Sequence, residues 1–134
     1  MIQLAEKMLG PYEWGIYDIL ILPPSFSFSG MEHPCVNFVS PALVTGDKTG
    51  TIIIAHELAH SWSGNLVTCK NFEHLWVNEG LTTFIDGKIK SRLEKKPSLS
   101  RGLLGSIRWT YLNNKVFYPA KFNYLNINYI IFVL

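Results

Sequence analysis

The stretch His56-Glu57-Leu58-Ala59-His60 constrains this 134-residue chain more than any other. Ile52-Ile53-Ile54-Ala55 leads into it, and Leu58, Ala59 and Trp62 are also apolar, a composition that suits a helix buried on most of its surface. Residues four apart on a helix lie on one face, one turn apart. His56 and His60 can therefore aim two imidazole nitrogens at one point. Zinc takes such nitrogens at about 2.0–2.1 Å, and a catalytic site adds a third protein ligand and a water. Glu57, between the histidines, is placed to act as general base on that water.

The third ligand comes from further along. Gly64-Asn65 breaks the first helix, and a second helical pattern covers Leu75 to Leu93. Near its start stands Asn78-Glu79-Gly80. Eighteen residues lie between His60 and Glu79, enough for a turn and an antiparallel return. Glu79 can then complete a His-His-Glu set for one Zn2+ per chain. Leu81, Ile85 and Ile89 recur every four residues as a core face. Asp86, seven residues after Glu79, has two readings: an acceptor for a zinc-bound histidine, or an exposed carboxylate, which is the expectation. Neither Cys69 nor His74 fits the ligand spacing.

Composition narrows the class. With 48% hydrophobic and 16% charged residues the chain is globular rather than disordered. Two cysteines, Cys35 and Cys69, suggest no disulfide framework. No apolar run reaches the roughly 20 residues of a membrane span, and the start shows no signal peptide. A cytoplasmic location is expected. Nine of the 12 Lys and Arg residues follow position 87, with Glu94 the single acid there. No nucleic-acid motif accompanies that charge, so a solvated face is expected and no nucleic-acid partner.

Taken in order, Ile2 to Leu9 reads as a helix stopped by Gly10-Pro11. Tyr17 to Leu22 reads as a strand ended by Pro23-Pro24. Cys35 to Val44 is strand-like. Thr49 or Thr51 is a possible N-cap for the histidine helix. Residues 103–109 suggest a short helix, and residues 111–134 have no clear period.

The flanking motifs sharpen the picture. They are Gly10-Pro11-Tyr12-Glu13-Trp14-Gly15, Leu22-Pro23-Pro24-Ser25-Phe26, Gly30-Met31-Glu32, Gly46-Asp47-Lys48, His60-Ser61-Trp62, Gly64-Asn65-Leu66-Val67-Thr68 and Trp76-Val77-Asn78-Glu79-Gly80. With H-E-x-x-H, eighteen residues and E, they resemble the M1 (gluzincin) zinc aminopeptidases, in the leukotriene A4 hydrolase and aminopeptidase B branch. The resemblance covers about residues 1–95. It implies an α+β, thermolysin-like fold, present in part: a small mixed sheet followed by two metal-binding helices. Residues 1–95 are then part of a catalytic domain, and residues 96–134 a divergent tail foreign to the family fold.

The resemblance also implies roles. His56, His60 and Glu79 hold zinc, and Glu57 is the catalytic base. Gly30 and Met31 pair with an extended substrate as an added strand, while Glu32 binds its α-ammonium group. The substrate is a peptide with a free amino terminus, losing its first residue. Ser29 and His33 replace a glycine and an asparagine of the family pattern, which bears on substrate affinity. The family's oxyanion-supporting tyrosine falls beyond Leu134, and none of Tyr111, Tyr118, Tyr124 and Tyr129 takes that role. The family's missing domains would be partners of this piece. Two other readings stay open: a catalytically inactive zinc-binding fragment, and an epoxide hydrolase of the leukotriene A4 hydrolase type.

Overall fold

A computed structural model describes residues 1–94, together with the backbone of Ile130–Phe132. Helix α1 spans Ile2–Leu9 and ends at Gly10. Three short strands follow: β1 (Asp18–Ile21), β2 (Gly30–Met31) and β3 (Val36–Val39). They form a sheet in the order β1-β3-β2, with β1 parallel and β2 antiparallel to β3. The sheet is therefore mixed, as the family resemblance implies. The strand-like stretch Cys35 to Val44 is broken halfway. Pro41 brings no N–H, and the Ser40 hydroxyl accepts from Ala42 N at 3.3 Å, so Pro41–Leu43 turns into a short 3-10 helix.

Helix α2 spans Thr51–His60 and α3 spans Leu75–Leu93, and the two pack on each other. Neither expected threonine caps α2. Gly50 occupies the N-cap, Thr51 is already helical and its hydroxyl donates back to Lys48 O, and Thr49 is held by the Asp47 carboxylate. Between the helices, β4 (Val67–Cys69) pairs antiparallel with β5 (Ile130–Phe132), Thr68 opposite Ile131. The short helix expected at residues 103–109 and most of the tail lie outside the described residues.

The core gathers where α2 meets its neighbours. Ala5, Ala55, Leu58, Ala59, Trp62 and Ile89 form one buried cluster. Leu58 is wholly enclosed, and burying a leucine stabilises by about 1.5–3 kcal/mol. Of the expected core face Leu81, Ile85 and Ile89, Ile89 lies in this core and Ile85 packs against it, while Leu81 is not part of the cluster. Two tryptophans fasten the entry loop to the end of α2. Trp62 Nε1 donates to both Gly10 O and Pro11 O at 3.2 Å, and Trp14 Nε1 donates to Ser61 O at 2.9 Å. The sheet is less protected: Ile19, Leu20 and Ile21 of β1 are all exposed, an apolar edge of the kind that other segments cover.

Candidate metal centre

Packing α2 against α3 brings three predicted ligands together. The ligand atoms of His56, His60 and Glu79 all lie within 4.8 Å of one another. His56 Nε2 is 3.4 Å and His60 Nε2 is 3.6 Å from the same atom, Glu79 Oε2. Two ligands bound at about 2.05 Å in a tetrahedron stand about 3.3 Å apart. The observed spacing and the donor set, two imidazoles and a carboxylate, fit a zinc ion.

The other ring nitrogens are engaged, which leaves each Nε2 for the shared point. His56 Nδ1 sits 2.9 Å from Asp86 Oδ2. His60 Nδ1 donates to Ser63 O at 2.9 Å, and Thr82 Oγ1 lies 3.1 Å from it. Thr82 also donates to Ser63 O at 2.8 Å. Asp86 is thus buried and bonded, not exposed as expected. The helical period explains this: Glu79, Thr82 and Asp86 are spaced i, i+3, i+7 and share the face that α3 turns to the histidines. Thr82 and Ser63 went unnoticed in the sequence. The spacing from Glu79 could have pointed to Thr82, whereas a backbone carbonyl such as that of Ser63 leaves no sequence signal.

Each histidine feels opposing influences. Burial works against a charged His56, yet the Asp86 and Glu79 contacts raise its pKa to about 9. Burial would raise that of Glu79, but the two imidazoles hold it at about 2. Glu57, only 5% exposed, is pushed up to about 7, first by burial and against the pull of His56 and His60.

The predicted substrate segment lies beside Glu57. A β-carbon on Gly30 would overlap the Glu57 carboxylate, so β2 runs directly against it. Asn65 Nδ2 donates to Glu32 O at 2.6 Å and fixes the next residue. The Glu32 carboxylate comes within 3.9 Å of His60 Nδ1. Glu32, Glu57 and His60 form a second cluster of ligand-type atoms. It is a poor metal site, because His60 Nδ1 is taken by Ser63 O and Nε2 faces Glu79. Gly64 has φ 125°, and a β-carbon there would meet His60 Nδ1 at 2.9 Å, so glycine suits both the turn and the ring.

At the start of α3, Asn78 bridges to β4. Its Oδ1 accepts from Cys69 N at 3.0 Å and its Nδ2 donates to Thr68 Oγ1 at 3.1 Å. The residue before Glu79 is thereby locked. Cys35 and Cys69 are free thiols. No helix among the described residues is long and apolar enough to cross a membrane.

Comparison with known proteins gives the family. The Peptidase family M1 domain matches residues 1–121. The chain belongs to peptidase family M1. It is similar to leukotriene A-4 hydrolase of Xenopus laevis, 47% identical over 116 residues, covering 87% of this chain and 19% of the relative. It is similar to leucine aminopeptidase 2 of Yarrowia lipolytica, 48% identical over 115 residues, covering 86% of this chain and 18% of the relative. Among solved structures, native yeast LTA4 hydrolase superposes with a TM-score of 0.70 at 43% identity, over 87% of this chain and 18% of that one. The small mixed sheet and helix pair are those of this M1 peptidase fold, present in part. The chain spans about a fifth of the length of the curated relatives it matches.

Proposed function

We propose that this chain is the metal-bearing part of a zinc aminopeptidase, which removes the first residue of peptides with a free amino terminus. The observation that carries the proposal is the convergence of His56 Nε2 and His60 Nε2 on Glu79 Oε2, at 3.4 and 3.6 Å. His56, His60 and Glu79 hold the zinc. When bound there, zinc would polarise the scissile carbonyl and acidify the attacking water. Glu57 takes the proton from the water and passes it to the departing amine. The backbone of Gly30 and Met31 lies along the extended substrate as an added strand. Glu32 pairs with the α-ammonium group, so an acetylated terminus is refused.

Asp86, and Ser63 with Thr82, hold the outer nitrogens of His56 and His60 and so orient both rings. The free thiols suit a reducing compartment, and a cytoplasmic location is part of the proposal. So is a partner for the exposed β1 strand: the remaining domains of a longer enzyme.

A second reading has its own observation. The exposed apolar side chains of Ile19, Leu20 and Ile21 favour a piece that binds zinc without turning over substrate by itself. An epoxide hydrolase reading rests on names alone, those of the leukotriene A-4 hydrolase relative and of the yeast LTA4 hydrolase structure. Zinc per chain after dialysis, followed by cleavage of an amino-acid anilide and of its acetylated form, separates the aminopeptidase from the inactive fragment. About one zinc with cleavage of the free amine alone supports the aminopeptidase. One zinc without cleavage supports the inactive fragment. No retained zinc sinks both.

A further inference from the structure

We propose that Lys90 is a positioning residue for the metal site: it pins the Asp86 carboxylate that in turn orients His56. This rests on the zinc reading above. Lys90 Nζ lies 3.1 Å from Asp86 Oδ2, the same atom that stands 2.9 Å from His56 Nδ1. Two donors, one from each helix, therefore converge on one oxygen. The Lys90–Asp86 pair is internal to α3 at i, i+4, whereas the Asp86–His56 contact joins α3 to α2.

The ordinary reading of such a pair is a surface ion pair that contributes little. Two observations set this one apart. The Asp86 side chain is only 9% exposed, so its ammonium partner sits at a boundary where solvent screens less. The carboxylate also has a second task. An aspartate with one donor can still rotate about its last bond, and any rotation swings Oδ2 away from His56. The ammonium group, held by its own helix, removes that freedom before α2 docks. The order of control runs from Lys90 to Asp86, from Asp86 to the His56 ring, and from the ring to Nε2 at the shared ligand point.

The test is a mutant cycle on the 134-residue chain, using Lys90→Met, which keeps the stem and suits a helix, Lys90→Arg, and each in an Asp86→Asn background. Zinc affinity is read by competition with a chelator. Loss of an outer partner such as Asp86 costs about 10- to 100-fold in metal affinity. Lys90→Met should weaken binding by a smaller factor, about threefold or more, and Lys90→Arg should restore it. In the Asp86→Asn background Lys90→Met should change nothing. Unaltered affinity in Lys90→Met, or an equal loss in both backgrounds, overturns the inference. A chain that takes up no zinc defeats the metal reading instead. The His56 Nδ1–H proton resonance of the metal-free chain then decides the matter alone. Broadening in Lys90→Met but not in Lys90→Arg supports pinning, and an unchanged line in both overturns it.

Discussion

Gly30 and Glu57 occupy adjoining space so closely that a β-carbon on the glycine would meet Glu57 Cγ at 2.7 Å and overlap its carboxylate. The strand and the base are therefore one unit. Gly30→Ala must displace either β2 or the Glu57 side chain. A displacement of about 1 Å at a reacting group can cost about 10²-fold in rate. We expect Gly30→Ala to keep its zinc, because the three ligands are untouched, and to lose turnover of a free-amine anilide by about that factor. Zinc content and kcat measured on the same sample check this.

Glu57→Gln keeps the shape of the side chain and removes its capacity to take a proton. Zinc content should stay near that of the parent chain. Turnover should fall by about 10²–10⁴-fold, the range for a positioned general base. Equal turnover in the two proteins would remove Glu57 from the proposed role.

Thr82 is fully buried and serves Ser63 O and His60 Nδ1 together. Thr82→Val preserves volume and deletes the hydroxyl. Ser63 O and His60 Nδ1 keep their bond to each other, so the loss is that of one hydrogen bond, about 0.5–1.5 kcal/mol. Denaturant unfolding should show a loss in that range, with an unchanged dependence on denaturant concentration.

Zinc that binds the folded chain alone should stabilise it. At a free concentration one hundred times its Kd the gain is about 2.7 kcal/mol. The melting temperature should rise with added zinc in the parent chain and stay constant in His60→Ala. A parallel rise in both would mean that the metal binds elsewhere.

The turn before α2 supplies a pH test remote from the metal. Asp47 accepts hydrogen bonds from the Thr45 hydroxyl and from the Thr49 amide and hydroxyl, and these hold its pKa at about 2. The folded value lies below the unfolded one. The stabilisation is therefore full above the ordinary carboxylate range, near pH 4, and fades as pH falls towards 2. The stability difference between the parent chain and Asp47→Asn should be constant at neutral pH and close on acidification. Unfolding measured between pH 6 and pH 2 checks the sign.

Much of this site was legible in the sequence, and for a physical reason. Two histidines four apart on a helix must share a face, and the stretch read as helical, Leu75 to Leu93, is α3. The helix pair follows from those signals, whereas the mixed sheet was expected only from the family resemblance. The strand beyond Val39 was not legible, because Ser40 and Pro41 act through a local cap that overrides an apolar run. Asp86 was misjudged for a different reason. Its spacing put it on the Glu79 face of α3, two turns on, and only the docking of α2 decided between exposure and a bond to His56. Lys90 stands four residues after Asp86, a spacing that suggests only a surface ion pair while Asp86 is read as exposed.

The tryptophan bonds from Trp14 and Trp62 join groups 47 to 52 residues apart. The histidine pair they brace is separated by a single helical turn. Metal-binding geometry that is local in sequence thus depends on loop closures that are not. Closing them costs chain entropy before any contact repays it. The two imidazoles can meet early in folding, while the platform that aims them forms late. A variant such as Trp62→Phe, which spares every ligand, should slow the acquisition of zinc more than it weakens the zinc already held.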